Sequence, residues 1–137
     1  MKLPKIKLRA PAGLENDRAR DGWTLVGNAN CTGTEELELA GFLHQGESRV
    51  DGNEMVRRAK ELGNQAGQLH AELLLRQRDE IPKEWQRFYL VFPGTTWRLP
   101  NGGLHVPYLY WCGRWYLDWD WLGYNWGGGG RLVRVCK

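Results

Sequence analysis

The chain has 137 residues, a net charge of +3, 42% hydrophobic residues and 26% charged residues. These values are ordinary for a soluble globular protein, and the length suffices for one domain whose core needs neither metal nor disulfide bonds. No apolar run approaches the length of a membrane span, and the basic N-terminus has no apolar signal-peptide segment. Cys31, Cys112 and Cys136 form no CxxC pair, which argues against a disulfide framework. We therefore expect a cytoplasmic protein with no membrane contact, and the sequence does not indicate its oligomeric state.

Residues 1–20 form the first distinct segment, because they are rich in charge, carry two prolines and show no sustained periodicity. We predict a basic flexible arm here, followed by a single α+β domain over residues 21–137. Within that domain the part up to Glu84 is net acidic and the remainder is net basic. The basic parts leave room for contact with nucleic acid, whereas packing of the acidic part beside the basic part is the simpler explanation.

Two short segments near the N-terminus have the composition of strands. Residues 22–26 (GWTLV) are followed by a turn-rich stretch, and residues 36–42 (ELELAGF) alternate leucine with glutamate. Alternation of this kind indicates a half-exposed strand. We predict that the two strands pair as an N-terminal hairpin with a long loop.

A helical apolar stripe occupies the middle of the chain. Its members recur at steps of three and four residues: Met55, Ala59, Leu62, Ala66, Leu69 and Leu73. Gly63 and Gly67 interrupt the stripe, and each costs up to about 1 kcal/mol in a helix relative to alanine. The pattern allows one continuous helix, but we favour two helices over residues 54–62 and 65–79, with Asn53 as the N-cap of the first.

Strand and turn signals fill the remainder of the chain. After a short third helix from Pro82 to about Phe88, apolar and alternating runs mark candidate strands at residues 89–92, 95–99, 104–111, 115–122 and 131–136. We therefore predict an α+β fold. Its helical part, over about residues 53–88, precedes an aromatic β part over about residues 89–137, built as a C-terminal antiparallel meander or a small SH3-like barrel.

The stretch over residues 108–126 contains five of the eight tryptophans. Part of it alternates between an odd-numbered apolar set and an even-numbered set with two aspartates: Trp115, Leu117, Trp119 and Trp121 against Tyr116, Asp118 and Asp120. This period of two predicts a strand with one buried face and one wet face. Because two carboxylates are costly to bury, we expect the odd-numbered face to hold the core. Trp119→Ala should then strongly destabilise the protein.

Two arrangements contain residue types that bind metals, and neither is a complete site. His70-Ala71-Glu72 matches the His-x-Glu of zinc deaminases, but the Pro-Cys-x-x-Cys that supplies their other ligands is absent. We expect His70 to lie on a helix surface. His105 could join Cys112 and Cys136 at zinc, yet the three lack the local spacing of zinc ligands. We therefore predict no metal and no cofactor.

Asp118 and Asp120 are the remaining candidates for catalysis. On one strand face their carboxyl groups would lie roughly 6.6 Å apart, which is within the range of the paired carboxylates of inverting glycosidases. Adjacent positions on one strand rarely flank a sugar from both sides, however. We predict no catalytic residue and keep a carbohydrate-active enzyme or sugar binder, using these aspartates and the surrounding tryptophans, as an alternative.

The chain from about residue 55 to residue 134 resembles a group of short bacterial proteins of unknown function. The resemblance lies in five short stretches: Ile81-Pro82-Lys83-Glu84-Trp85, Tyr89-Leu90-Val91-Phe92-Pro93-Gly94-Thr95, Val106-Pro107-Tyr108-Leu109, Arg114-Trp115-Tyr116-Leu117 and Arg131-Leu132-Val133-Arg134. No activity is attached to that group, so the resemblance implies no site and no function.

The aromatic residues of the β part are too many for its interior, since each buries 150–250 Å². Exposed aromatic and arginine side chains are typical of binding surfaces. We therefore predict a non-enzymatic binding or adaptor module that engages a protein partner. Single-stranded nucleic acid, bound by stacking and arginine, is the alternative. The candidate binding residues are Trp97, Arg114, Tyr116, Tyr124, Trp126, Arg131 and Arg134.

Overall fold

The computed structural model describes residues 3–9 and 16–136. Within these ranges it contains two α-helices, α1 at Gly52–Leu62 and α2 at Gln68–Arg76. Short 3-10 helices lie at Arg18–Asp21, Arg78–Glu80 and Lys83–Arg87. The strands are β1 Ile6–Lys7, β2 Thr24–Gly27, β3 Glu36–Ala40, β4 Arg49–Asp51, β5 Tyr89–Val91, β6 Thr96–Arg98, β7 Leu104–Trp111, β8 Trp115–Trp121, β9 Asn125–Gly127 and β10 Gly130–Val135.

Eight of the strands in the described ranges form one sheet in the order β1-β3-β10-β5-β7-β6-β2, with β8 on the other edge of β7. β5 and β6 follow one another along the same edge of β7 and pair with it antiparallel. β10 lies between β3 and β5 and is parallel to β5. The sheet is therefore an open, mostly antiparallel one, in which the last strand of the chain takes a central place.

The sheet is covered on both faces, because neighbouring residues of its central strands enter different cores. Leu90 and Phe92 pack in a cluster that includes Leu73 and Leu74 of α2. Val91 packs in a second cluster with Met55 and Ala59 of α1, and the small β4–β9 pair joins this second layer. The predicted opposition of Leu90 and Phe92 to Val91 is confirmed. The mixed α+β class is confirmed as well.

The predicted break between two helices is also confirmed, and glycine ends the first. Gly63 (φ 76°) and Asn64 (φ 58°) both leave the right-handed region at the end of α1. α1 begins earlier than predicted, since the side chain of Asp51, not that of Asn53, caps it by accepting from the Asn53 amide at 2.8 Å. The sequence pattern also predicts that Met55, Leu62, Leu69 and Leu73 line one packed helical face, and this prediction is wrong. Met55 and Leu73 lie on opposite faces of the sheet, and Leu62 is 42% exposed.

Several predicted pairings differ in the structure. β2 pairs with β6, and β3 pairs with β1 and β10, so the predicted N-terminal hairpin does not form. The predicted third helix is the 3-10 segment Lys83–Arg87. Part of the expected flexible arm belongs to the fold: β1 adds to the sheet edge, and Ile6 and Leu8 are buried. Residues 18–20 of the arm belong to the first 3-10 helix, and residues 1–2 and 10–15 lie outside the described ranges. Neither described helix is long and apolar enough to cross a membrane.

Candidate binding surface

The β7–β8 hairpin presents the predicted alternation. Trp115 is buried in the cluster under α2, Leu117 packs against that cluster and Trp119 is half-buried. Trp121, the last odd-numbered residue of the strand, is 43% exposed. The odd face therefore holds the core for most of β8 but not at its end. The reason is that α2 begins at Gln68, whose Oε1 accepts from Trp119 Nε1 at 3.1 Å, and Trp121 lies one step beyond the helix.

The even-numbered face of the hairpin carries tyrosines and carboxylates. Tyr110 pairs with Tyr116 across the two strands, and Tyr108 pairs with Asp118. The rings of Tyr110 and Tyr116 stack with centroids 5.4 Å apart, and Tyr108 lies 5.7 Å from Tyr110. All three tyrosines are half-buried, and Asp118 is exposed. The cluster under α1 includes Val106 on this face but none of these tyrosines, so neither of the two described α-helices packs on this part of the sheet through that cluster.

Two cavities meet at Asp120, one on each side of the turn that follows β8. The first, called here the outer cleft, has a volume of about 480 Å³ and is lined by the side chains of Leu99, Asn101, His105, Asp120, Trp121 and Tyr124. The second, called here the tyrosine cavity, has a volume of about 320 Å³ and is lined by Tyr89, Tyr108, Tyr110, Asp120, Asn125 and Trp126. Four of the six residues that line the tyrosine cavity are aromatic, and Trp121 and Tyr124 are the aromatic residues of the outer cleft. Asp120 is the residue that the two linings share.

The two aspartates also accept hydrogen bonds from backbone amides at the unpaired edge of β8. The Leu122 amide donates to Leu104 O, and such bonds alternate along a strand, so the Trp119 and Trp121 amides face away from β7. Asp118 Oδ1 accepts from the Trp119 amide at 2.7 Å, and Asp120 Oδ1 accepts from the Trp121 amide at 2.8 Å. The edge amides are thereby occupied, which blunts the edge against pairing with another strand.

Electrostatics around the tyrosine cavity are negative. Burial raises the pKa of Tyr108 to about 12, and the nearby charges of Asp118 and Asp120 contribute to the rise. Within the described ranges, neither aspartate forms an ion pair. The surface therefore combines aromatic rings with carboxylate charge that the protein itself leaves unpaired.

Three of the predicted binding residues lie at this surface and one lies beside it. Tyr124 is 57% exposed in the outer cleft, and its ring contacts Trp121 edge to face at 5.2 Å. Trp126 lines the tyrosine cavity, but it is only 3% exposed, so the expectation that it escapes the core is wrong. Tyr116 is half-buried on the even face. Arg114 donates to Tyr116 Oη at 2.8 Å and places its guanidinium over that ring.

The other three predicted binding residues lie elsewhere and are engaged in the fold. Trp97 is 1% exposed, and its Nε1 donates to Gln68 Oε1 at 2.8 Å. Arg131 stacks over Phe88 at 4.3 Å and donates to backbone carbonyls of the glycine turn. Arg134 donates to the Leu62 carbonyl. The structure therefore engages Arg131 and Arg134 in contacts of the fold and does not bring them to the exposed aromatic residues.

Sequence reasoning missed a buried polar network at the start of α2. Gln68 is fully buried, and its Oε1 accepts from the indoles of Trp97 and Trp119. Its Nε2 donates to Glu72 Oε2 at 3.0 Å and to the Asn16 carbonyl at 2.7 Å. Every hydrogen-bonding group of the Gln68 amide is thus paired. The glutamine just after the break at Gly67 was the available sign of this network. Most of its partners are distant in sequence, so the sequence could not identify them.

His70 belongs to the same helix start, and the expectation of a surface histidine is wrong. Its side chain is fully buried, and its Nδ1 accepts from the Gly67 amide at 2.9 Å. The bond joins the first residues of α2 in a capping-box arrangement. Burial lowers the pKa of His70. A neutral, buried histidine is consequently a structural part of this helix N-terminus.

Cys31, Glu35 and His70 have the side-chain chemistry of zinc ligands, and their ligand atoms lie within 4.8 Å of one another. The hydrogen bonds do not suit a metal, however. Because His70 Nδ1 accepts a proton donor, the neutral ring carries its own proton on Nε2, the atom that lies 3.4 Å from Glu35 Oε2. Glu35 in turn accepts from the amides of Thr32 and Gly33. Burial raises its pKa, but these bonds outweigh burial and bring the pKa to about 2.

The second arrangement of residue types that bind metals, His105 with Cys112 and Cys136, is not assembled in the structure. His105 and Cys112 lie at opposite ends of β7, seven positions apart, which corresponds to roughly 23 Å along a strand. Cys136 Sγ lies 3.3 Å from Glu38 Oε1, near β3. Burial raises the pKa of the Cys136 thiol to about 11, so it is a poor thiolate ligand.

No protein-family model, curated protein or solved structure matches this chain.

Proposed function

We propose that this protein is a non-enzymatic binding module that engages a protein partner through the surface around Asp120. The observation that carries the proposal is the pair of adjoining cavities at one end of the sheet. Their linings include six aromatic side chains: Tyr89, Tyr108, Tyr110, Trp121, Tyr124 and Trp126. Tyrosine and tryptophan are the residues that most often anchor protein interfaces.

The charge at this surface favours a protein over nucleic acid. A phosphate backbone needs cationic side chains along its path, whereas the two charged side chains among the β7–β8 pairs are Asp118 and Asp120. Arg131 and Arg134 bond to backbone carbonyls and are not among the residues that line the two cavities. Arg114 is the nearest predicted arginine, and its guanidinium is held against Tyr116.

The arrangement of the carboxylates also disfavours the sugar-cleaving alternative. Asp118 and Asp120 lie on one face of one strand, and each uses one oxygen to accept from the amide of the next residue. Glycoside hydrolysis requires carboxyl groups on two sides of the scissile bond. These two carboxylates approach a ligand from the same side.

Alanine substitution at the outer cleft tests the proposal. The immobilised protein is offered a lysate treated with nuclease, and captured proteins are identified by mass spectrometry. Trp121→Ala or Tyr124→Ala should abolish capture of a specific protein. Trp111→Ala is the matched control, because Trp111 is 39% exposed against 43% for Trp121 and lies at the other end of the hairpin.

Two outcomes would overturn the proposal. Equal loss of capture in the Trp111→Ala control would show that any exposed tryptophan suffices. A parallel capture from an untreated lysate gives the comparison. Capture that occurs from the untreated lysate and disappears after nuclease treatment, together with a steep fall of affinity with added salt, would indicate nucleic acid instead.

A further inference from the structure

We infer that the tyrosine cavity is an anchor site for a cationic side chain, lysine or arginine, of the partner; this inference rests on the proposed function. At about 320 Å³ the cavity is at the lower end of the range for ligand sites. A single long side chain suits that size, whereas a folded element does not.

The lining supplies the chemistry that recognises a cation. Four of its side chains are aromatic, and an aromatic face attracts lysine or arginine within about 6 Å of the ring centroid. The rings of Tyr89, Tyr108 and Trp126 lie 6.2–6.5 Å from one another, with interplanar angles of 55° to 89°. Rings inclined in this way present both faces and edges to the cavity, and Asp120 adds a full negative charge.

Asp118 and Asp120 differ in one respect from the carboxylates elsewhere in the molecule that have a cationic partner. Glu47 and Glu54 bind Arg58, and Glu38 lies 3.5 Å from Arg134. In the described ranges no such pair reaches the two aspartates, although the chain as a whole has a net charge of +3. A partner that brings a cation to this cavity supplies the missing charge.

The hydrogen bonds at the edge of β8 disfavour one mode of binding, the addition of a partner strand to the sheet. A peptide that added itself to the sheet at β8 would need the free amides of Trp119 and Trp121, and those amides already donate to the aspartates. The partner segment therefore lies across the face of the hairpin and inserts a side chain, without extending the sheet.

A titration with small probes tests this chemistry directly. The probes are N-acetyl-arginine amide, N-acetyl-lysine amide and the neutral N-acetyl-norleucine amide, added at constant ionic strength. Binding is followed by amide chemical shifts of the intact protein. We expect both cationic probes to shift signals from Tyr89, Tyr108 and Trp126, with the neutral probe at least fivefold weaker.

Matched variants define the contribution of charge and ring. Asp120→Asn should weaken the cationic probes at least fivefold, whereas Asp79→Asn, which removes an exposed carboxylate from the distant 3-10 segment, should leave them within twofold. Tyr108→Phe keeps the ring and should bind within twofold of the native protein; Tyr108→Leu removes it and should lose binding. Spectra of each variant verify its fold before titration.

Equal binding of the neutral probe, or equal loss in Asp120→Asn and Asp79→Asn, would overturn the inference. If the probes fail while protein capture still depends on Trp121 and Tyr124, the anchor chemistry is wrong and the proposed function stands. If capture does not depend on those residues, the proposed function fails whatever the probes do.

Discussion

Aromatic side chains lie on both sides of the β7–β8 hairpin, but the two sides differ in how their polar atoms are paired. Towards α2, the indoles of Trp97 and Trp119 donate to Gln68, whose amide is completely paired. On the Asp120 side, the indole Nε1 of Trp126 is buried and has no hydrogen-bond partner in the described ranges, and Asp120 has no cation. Aromatic content alone therefore does not separate core from binding surface. The hydrogen bonds of the indole nitrogens differ between the two sides: those of Trp97 and Trp119 are paired, and that of Trp126 has no partner in the described ranges.

The largest expected loss of stability is on the side that faces α2, where the indole nitrogens are hydrogen-bonded. Trp97→Ala should lower the free energy of unfolding by about 3–5 kcal/mol, because it removes a fully buried aromatic side chain. Trp121→Ala, on the uncovered end of β8, should cost less than about 1 kcal/mol. Urea unfolding of both variants measures the difference. Similar losses would mean that Trp121 belongs to the core and that the contrast is false.

The features of this fold that depend on local pattern could be predicted from the sequence. The helix break at Gly63 and the opposite orientations of Leu90 and Val91 follow from backbone freedom and from the period of two. The β7–β8 hairpin follows from its turn and its alternation. These properties are decided by residues within a few positions of one another.

The pairing of distant strands could not be predicted in the same way. β2 and β3 both have strand composition, but composition does not decide which strand each one pairs with. The sequence is equally compatible with a β2–β3 pair and with the pairs that form, β2 with β6 and β3 with β10. Because helices cover both faces of the central sheet, alternation at Trp97 does not tell which side is wet. Trp126 lies in β9, in the separate β4–β9 pair. Among the candidate aromatic residues, Tyr124 is exposed and Tyr116 is half-buried, whereas Trp97 and Trp126 are buried.

Gln68→Leu tests the hydrogen-bond network around Gln68 directly, and we expect the second largest loss of stability from it. Leucine fills similar space but leaves the indole donors of Trp97 and Trp119 without an acceptor. An unsatisfied buried group costs about 1–3 kcal/mol, so we expect a loss of about 2–4 kcal/mol in urea unfolding. Gln65→Leu is the control, since Gln65 Oε1 already lacks a partner in the described ranges, and it should cost under about 1 kcal/mol. Equal effects of the two substitutions would deny the network its role.

A pH dependence of stability should arise from His70. Its folded-state pKa is lowered by burial, so the unfolded chain takes up a proton first as pH falls below about 6.5. Stability is therefore fully present above that pH and is lost as pH falls, by at most about 1.4 kcal/mol per pH unit for one proton. Urea unfolding between pH 7 and pH 5 measures the slope.

His70→Asn is the variant that isolates this effect, because an asparagine oxygen can still accept from the Gly67 amide. We expect the slope between pH 7 and pH 5 to become smaller in the variant. Glu35, with its pKa near 2, adds a loss only below about pH 4.5, outside the window. An unchanged slope would mean that His70 takes up no extra proton on unfolding.

The smallest expected effect on stability is at Asp120, the residue on which the proposed cation site depends. Asp120→Asn keeps a side-chain oxygen that can accept from the Trp121 amide, so the edge of β8 remains covered. It removes a carboxylate that pairs with no cation in the described ranges, and it relieves repulsion from Asp118 on the same face. We expect urea unfolding to change by less than about 0.5 kcal/mol, in either direction. Combined with loss of cationic probes, that result would assign the charge of Asp120 to recognition, since the fold would not need it. A loss above about 1 kcal/mol would instead make the carboxylate part of the structure, and the Asp120 side of the hairpin would then resemble the α2 side.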